Sequence, residues 1–118
     1  MRPELYGLSN CDSTRAAMKS LSESGVDYMF NDIRKEGVSV EKIKCWLKEV
    51  GLAGLLNKSS TSWRQLDENI KNSVKDEESV LKLLSEVVTL IKRPVLEIND
   101  TVFVGREAIN AIQSITKK

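Results

Sequence analysis

The chain has 118 residues, the size of one ordinary domain, and its apolar and charged fractions are typical of a globular protein with a real core. Its 18 lysines and arginines nearly balance 17 acidic residues, so the net charge of +1 provides no general field for binding nucleic acid or an anionic membrane. The sequence contains no histidine, which excludes His-based acid–base catalysis and any Cys-His couple.

The first third of the chain predicts a strand, a helix and a second strand. Glu4-Leu5-Tyr6 indicates the first strand, and the helix carries apolar positions at Ala17 and Leu21 before Gly25 ends it. Residues 26–30 then alternate as a strand should. We expect a βαβ unit with parallel strands.

The middle of the chain is predicted to be helical. After a polar connection at residues 32–37, Ser39 is a good N-cap for a helix that Gly51 stops. A polar loop at residues 57–62 precedes weaker helical signals, and Asp76 then caps a clearer helix.

The tail returns to strands. Residues 95–98 and 101–104 flank the polar pair Asn99-Asp100, a pattern that predicts a hairpin with a two-residue turn. Gly105 follows, and residues 108–115 have the apolar spacing of a last helix.

This order of elements predicts the fold class. A βαβ unit, then helices, then a ββα unit around a small mixed sheet is the order of an α/β, thioredoxin-like (glutaredoxin-type) domain. We predict a single domain over residues 1–118, with a helical insertion at approximately 39–90 between the two units.

Cys11 is the candidate nucleophile. It follows the first strand and directly precedes the first helix, where free N–H groups and the helix dipole favour a thiolate. Asp12 opposes ionisation, whereas Arg15 would favour it if its guanidinium folded back. Without histidine, the activating group is expected to be the dipole, an arginine or a lysine. A lone cysteine is equally often a small buried filler, and position alone leaves both interpretations open.

The spacing of thiols limits the chemistry. Thr14 stands where a Cys-x-x-Cys pair would have its second cysteine, so an adduct on Cys11 would need an external thiol, which predicts monothiol chemistry. Cys45, the other cysteine, is predicted to be structural filler. Two distant cysteines form neither a disulfide scaffold nor a metal site, and no secretion signal or membrane span is recognisable. We expect reduced thiols, no metal and a cytoplasmic location.

The Arg93-Pro94 pair is the second candidate feature. A proline directly before a strand in a thioredoxin-like sheet is expected in cis and beside the reactive cysteine. Arg93 would then present a planar fork of donors to an oxyanion next to Cys11. The alternative is an ordinary X-Pro turn between a helix and a strand.

Several segments together resemble, in order and spacing, the arsenate reductase (ArsC) family of the glutaredoxin-coupled type. Within it, the pattern is similar to a small bacterial branch of YffB-like thiol reductases, which is related to the Spx transcription regulators. The resemblance covers essentially the whole chain and rests on Tyr6-Gly7, Asn10-Cys11-Asp12-Ser13, Leu55-Leu56-Asn57-Lys58, Thr61-Ser62-Trp63-Arg64-Gln65-Leu66, Ile91-Lys92-Arg93-Pro94 and Val104-Gly105.

The resemblance implies a mechanism. The cysteine at the position of Cys11 attacks the arsenic of arsenate, and arginines orient the oxyanion. Glutathione then attacks the adduct as co-substrate, and a glutaredoxin removes the resulting mixed disulfide. No tightly bound cofactor is implied.

The chain also departs from the family pattern. Gly7 stands where the family has a histidine, and of three anion-binding arginines only Arg93 is present. Asn57 and Gly105 occupy the other two positions. Without two of the arginines, the site loses charge-assisted hydrogen bonds to the oxyanion, each worth about 1.5–3 kcal/mol, and so several kcal/mol of stabilisation. Arsenate is therefore not expected to be the physiological substrate.

The predicted function is therefore that of an arsenate-reductase-like, glutathione-dependent monothiol reductase acting as a monomer on a small oxidised or oxyanion substrate. Cys11 and Arg93 are the catalytic candidates. The alternative is an Spx-like regulator that binds RNA polymerase or another protein without turnover. Further candidates for binding the substrate or an anion are Arg15, Asn57, Lys58, Arg64, Pro94 and Arg106.

Overall fold

The structure, a computed structural model, describes residues 2–116. These residues group into two compact units. The sheet unit takes the described residues up to Glu36 together with those from Arg93 onward, and the helical unit is Gly37–Lys92. The helical unit covers the stretch predicted as an insertion, and the extent of the domain itself stays a prediction.

The described part of the sheet unit contains a four-stranded mixed sheet in the order β2-β1-β3-β4. β1 pairs with β2 in parallel and with β3 antiparallel, and β3 pairs antiparallel with β4. The parallel βαβ unit and the antiparallel hairpin are thus confirmed. The strands are β1 (Glu4–Gly7), β2 (Met29–Asp32), β3 (Val95–Ile98) and β4 (Thr101–Val104).

Helices α1 (Asp12–Glu23) and α7 (Arg106–Thr116) contact each other and build the core of the sheet unit with β1 and β3. A third, short helix α2 (Ile33–Glu36) follows β2. Because apolar positions recur at helical spacing on α1 and α7, each helix buries one face. The buried core cluster consists of Leu5, Ala17, Leu21, Leu96, Ala108 and Ile112. This arrangement is the α/β, thioredoxin-like fold that the order of elements predicted.

The hairpin turn has the predicted chemistry. Asn99 and Asp100 have φ values of 50° and 66°, so both central residues are left-handed. That combination defines a type I′ turn, which matches the twist of the flanking strands and favours Asn and Asp at these positions.

The second strand was predicted three residues too early. Val26 is not in a strand, because its N–H donates to Leu21 O at 3.0 Å in the turn that ends α1. Gly25 supplies the left-handed residue of that turn, with φ 73°. The polar connection that follows contains α2, because the Asp32 carboxylate accepts hydrogen bonds from the N–H groups of Arg34 and Lys35.

The helical unit contains α3 (Val40–Leu55), α4 (Thr61–Arg64), α5 (Glu68–Asn72), α6 (Glu77–Glu86) and a 3-10 turn at Val88–Leu90. Both predicted N-caps are confirmed: Ser39 Oγ accepts from Lys42 N, and Asp76 forms a reciprocal capping box with Ser79. Gly51 interrupts the helical geometry with φ 77°, but one further turn reaches Leu55. Among the described residues, no helix combines the length and apolar character needed to cross a bilayer.

The prediction that Cys45 is structural filler was wrong. The apolar stripe of α3 passes through Ile43, Trp46 and Leu47, all of which are buried. Cys45 lies outside that stripe and is exposed.

Replacing Leu96 with alanine tests the core of the sheet unit. Leu96 is fully buried, so the substitution leaves a cavity and is expected to lower the free energy of unfolding by about 2–5 kcal/mol. Urea denaturation followed by circular dichroism measures this. The control is Met29→Ala at an exposed edge position, where a change of about 0.5 kcal/mol is expected, and equal losses in both variants would contradict the assignment.

Candidate active site

Cys11 is the N-cap residue of α1, held by backbone hydrogen bonds on both sides. Its N–H donates to Leu8 O at 3.0 Å, and its carbonyl accepts from Arg15 N at 2.9 Å. Its backbone is extended, with φ −95° and ψ 126°, as an N-cap residue requires. Its side chain is partly exposed, so the sulfur is accessible to a dissolved reactant.

Asp32 fixes the loop that carries Cys11. One carboxylate oxygen accepts from Ser9 N at 3.3 Å, and the other accepts from the N–H groups of Arg34 and Lys35 at 3.0 and 3.1 Å. The bond from Lys35 N is the largest influence on the pKa of Asp32, and with the Ser9 and Arg34 bonds it outweighs burial and lowers that pKa. The end of β2 is thereby tied to the loop between β1 and α1.

Ser13 connects the sulfur to the segment that begins β3. Its Oγ lies 3.3 Å from Cys11 Sγ, and it donates to Arg93 O over 3.5 Å. The expectation that residues 93–94 lie beside Cys11 is therefore confirmed. The predicted cis peptide bond between Arg93 and Pro94 is also present.

The pKa of Cys11 reflects a balance between burial and hydrogen bonding. Burial is the largest influence and raises the pKa, but interactions with the Ser13 side chain, the Thr14 side chain and N–H, and the Arg93 side chain together lower it to about 6. The sequence predicted that a dipole, an arginine or a lysine would activate Cys11. That prediction was incomplete, because the hydroxyls of Ser13 and Thr14 each lower the pKa of Cys11 more than Arg93 does. At pH 7 a thiol with that pKa is about 90% ionised, against a few per cent for an ordinary cysteine.

Thr14 is a site residue that sequence reasoning did not find. Its side chain is fully buried, and by distance and angle its Oγ1 has no hydrogen-bond partner among the described residues. A hydroxyl rotates to suit its acceptor, so ionisation of Cys11 would supply this buried donor with an anionic partner.

Gly7 makes room for that threonine. A Cβ added at Gly7 would lie 2.7 Å from Thr14 Cγ2 and closer still to its Oγ1. Real Cβ atoms do not approach other atoms so closely, and a buried β-branched side chain has few other rotamers to adopt. The missing side chain at position 7 therefore fixes where Thr14 sits beneath the sulfur.

A recess of about 380 Å³ lies on the Ser13 and Arg93 side of this site. Gly105 donates its N–H to Pro94 O at 2.9 Å and adopts φ 64°, which places the first turns of α7 along the recess. Arg106 and Asn110 line it from that helix. The structure thus brings Cys11, Arg93, Pro94 and Arg106 into one region of the sheet unit.

Three predicted site residues lie together in the helical unit. Arg64 Nη2 donates to Ser59 O at 2.8 Å, and Lys58 Nζ lies 5.5 Å from the Trp63 ring centroid. Asn57 Oδ1 accepts from Ser59 N at 3.0 Å. A binding role for Asn57, Lys58 and Arg64 stays a prediction.

Arg15 is exposed on α1, and it is not among the groups that lower the pKa of Cys11. Its role in anion binding also stays a prediction. Residues 2–116 contain no group of three or more potential metal ligands of the His, Cys, Asp or Glu type.

Sequence reasoning passed over Ser13 and Asp32 for different reasons. A serine in the first turn of a helix is common, and only its place two residues after a candidate nucleophile could have drawn attention to Ser13. Asp32 is the last residue of β2 and directly precedes the short helix α2, which is a capping signal, but its bond to the Cys11 loop depends on strand pairing.

A thioredoxin-like sheet, a cysteine with a lowered pKa at the start of the first helix and a cis-proline segment beside it are the features of a thiol-redox protein of the arsenate-reductase-like class. Comparison with known families places the chain within that class. The model of the ArsC family matches residues 6–112, and the chain belongs to that family.

The chain is also similar to three individual proteins, one of which is named as related to arsenate reductase (ArsC). An uncharacterised protein of Haemophilus influenzae is 38% identical over 92 residues, which cover 78% of this chain and 80% of that protein. The solved structure of the YFFB protein is 32% identical, covers 98% of this chain and 99% of its own, and superposes with a TM-score of 0.87. An arsenate reductase (ArsC) related protein from Brucella melitensis is 34% identical over 100% of this chain and 97% of its own, with a TM-score of 0.76.

The pH dependence of alkylation tests the ionisation of Cys11. In a Cys45→Ser background, the rate of reaction with iodoacetamide should rise with a midpoint near pH 6 and level off above pH 7, because the thiolate is the reacting form. Trapping at a series of pH values followed by mass spectrometry measures it. A midpoint near the ordinary cysteine value of about 8.5 would contradict the site geometry.

Replacing Thr14 with valine tests the buried hydroxyl. Valine keeps the shape but removes the donor, so the alkylation midpoint is expected to rise by about one pH unit, the effect of one hydrogen bond to a charged group. Thr14→Ser keeps a hydroxyl and is expected to retain the lower midpoint. Identical pH profiles for the parent and Thr14→Val would show that the hydroxyl does not stabilise the thiolate.

Proposed function

We propose that this protein is a glutathione-dependent monothiol reductase in which Cys11 is the nucleophile. The observation that carries the proposal is the partly exposed Cys11 sulfur with its pKa lowered to about 6. A thiolate of this kind attacks an oxidised sulfur or an electrophilic oxyanion centre and forms a covalent adduct. Membership of the ArsC family supports the same class of chemistry.

The adduct on Cys11 is resolved by a thiol from solution. The residue three positions after Cys11 is Thr14, and the second cysteine of the chain is on the helical unit, exposed on α3. Glutathione is the proposed co-substrate and attacks the adduct directly. A glutaredoxin is the proposed partner for the mixed disulfide that remains, and the cytoplasm, where thiols are kept reduced, is the proposed location of a monomeric enzyme.

Arg93 is proposed to act twice. Its side chain helps to lower the pKa of Cys11, and it also lines the recess beside the sulfur. A guanidinium in this place can hold an anionic group of the substrate while charge moves onto the leaving atom.

Arsenate is a less suitable substrate than an oxidised thiol. Asn57 has its side-chain oxygen engaged by Ser59 N, and Gly105 has no side chain to offer. Neither position supplies an arginine for charge-assisted hydrogen bonds, so a compact arsenate dianion would lack most of the charge compensation that it needs.

Glutathione disulfide tests the proposal. The Cys45→Ser variant is expected to form one mixed disulfide with glutathione, detected by intact-protein mass spectrometry, and to release it on addition of reduced glutathione or glutaredoxin. Arg93→Ala should slow adduct formation roughly 10- to 100-fold, because a hydrogen bond to a charged group is lost at the reacting centre.

Two control variants accompany this experiment. Cys11→Ser should form no adduct, and Arg34→Ala, which removes an exposed arginine from α2, should behave like the parent. A Cys11 that stays unmodified in the Cys45→Ser variant would contradict the enzyme proposal and favour the non-enzymatic, Spx-like alternative.

A further inference from the structure

Buried polar side chains are concentrated beside the segment that carries Cys11. Apart from aromatic residues, the buried polar or charged side chains in the described part of the chain are Thr14, which is fully covered, and Asp32, which is 7% exposed. Burying a polar group is unfavourable, and burying a carboxylate most of all, because each loses its water. Thr14 lies beneath the sulfur and supplies it with a donor, so the burial of Asp32 is the one left to explain.

Capping α2 does not by itself require a buried carboxylate. This helix is a single turn of four residues, three of which are exposed. Ser39, Asp67 and Asp76 accept the same kind of hydrogen bond at the starts of α3, α5 and α6, and all three are exposed. An exposed cap keeps its water on the side that faces solvent. The burial of Asp32 therefore indicates a second role.

The two oxygens of the Asp32 carboxylate bond to different segments. Oδ1 accepts from the N–H groups of Arg34 and Lys35 at 3.0 and 3.1 Å, which is the capping contact. Oδ2 accepts from Ser9 N at 3.3 Å, outside α2. The two contacts need acceptors that point in different directions, and a carboxylate has two such oxygens.

The bond from Ser9 lies inside the turn that ends at Cys11. Cys11 N donates to Leu8 O at 3.0 Å, so residues 8–11 form a four-residue turn with Ser9 and Asn10 at its centre. Both central side chains are exposed, and neither packs into the core. The turn therefore keeps its shape through backbone hydrogen bonds, one of which Asp32 supplies.

The position of the Cys11 sulfur depends on this turn. Cys11 is both the last residue of the turn and the N-cap residue of α1. The groups that lower its pKa are on the first turn of α1, at Ser13 and Thr14, and on the segment before β3, at Arg93. Hydrogen bonds weaken steeply with distance and angle, so a displaced turn would separate the sulfur from these donors.

We propose that Asp32 is a positioning residue for Cys11: from the end of β2, its buried carboxylate holds the turn at residues 8–11 and so keeps the sulfur against the donors of the thiolate. The proposal rests on the proposed function of Cys11 as the nucleophile. It adds the group that keeps this nucleophile in its reactive place before a substrate arrives. Asp32 acts through the backbone and needs no contact with the substrate.

Positioning and direct electrostatics predict opposite results. A negative charge near a thiolate destabilises it, so a direct effect of removing the Asp32 charge would lower the pKa of Cys11. Asp12 and Arg15 are the charged residues close to Cys11 along the chain, and Arg93 reaches it from the segment before β3. Of these and Asp32, Arg93 alone is among the groups that shift the pKa of Cys11. A rise in this pKa after loss of the carboxylate would therefore indicate a displaced sulfur.

Replacing Asp32 with asparagine, in the Cys45→Ser background, separates the two contacts. Asparagine keeps one oxygen, which can still cap α2, but its NH₂ group would face the Ser9 N–H, donor against donor. The midpoint of the iodoacetamide reaction of Cys11 is expected to rise by about 0.5–1 pH unit, a roughly three- to tenfold loss in the equilibrium for ionisation. Trapping at a series of pH values followed by mass spectrometry measures this.

A matched control removes a cap elsewhere. Asp76→Ala deletes the exposed capping carboxylate of α6 and is expected to lower the melting temperature while leaving the midpoint of Cys11 as in the parent. Circular dichroism confirms folding. If Asp32→Asn does not fold, Asp32→Ser takes its place with the same expected rise, because serine keeps a hydroxyl cap for α2 and offers no second acceptor to Ser9.

Amide hydrogen exchange followed by NMR tests the contact in the parent protein. The Ser9 N–H is expected to exchange more slowly than an unstructured amide, and to exchange faster in Asp32→Asn. Exchange of this N–H in the parent at the rate of an unstructured amide would overturn the proposal, whether or not the variants fold.

The positioning proposal and the proposed function fail in different ways. If the parent has a midpoint near pH 6 and the folded Asp32 variant has the same or a lower midpoint, Asp32 does not position the sulfur, while the nucleophilic role of Cys11 stands. If the parent itself has a midpoint near the ordinary value of about 8.5, the basis of the proposed function is lost, and the positioning proposal with it.

Discussion

The chemistry of this protein depends on how the Cys11 sulfur is solvated by its own chain. Burial alone would keep the thiol protonated, because a charged group loses water when it is covered. Donors from the first turn of α1 and from Arg93 replace that water, and they outweigh the cost. The sulfur remains partly exposed, so the same arrangement that stabilises the thiolate leaves it open to attack an incoming electrophile.

This balance is set by segments far apart in the sequence. Strand pairing between β1 and β2 brings Asp32 to the loop before Cys11, and antiparallel pairing between β1 and β3 brings the residues at the start of β3 to the same end of the sheet. The N–H of Gly105 then joins the start of α7 to Pro94. A site assembled on paired strands and helix ends keeps its geometry without ligands to order it.

Features that depend on local sequence patterns or on the spacing of two residues could be predicted from the sequence. Helical periodicity, turn residues and N-caps gave the elements, and the Arg93-Pro94 pair gave the cis bond and its place beside Cys11. The errors had tertiary causes. Residues 26–28 alternate like a strand, but Val26 bonds back to Leu21 in the turn that ends α1, and β2 begins only at Met29. The role of Thr14 depends on its burial against Gly7, which no spacing along the chain reveals.

The contact between Gly7 and Thr14 also bears on how such a site can evolve. A larger residue at position 7 cannot be introduced while position 14 keeps its threonine, and a smaller residue at position 14 would remove the hydroxyl beneath the sulfur or leave a void. The two positions are therefore epistatic. To replace support of the cysteine by the Thr14 hydroxyl with support by an imidazole at position 7, both positions must change. A protein with only one of the two substitutions has either a crowded site or a poorly nucleophilic cysteine.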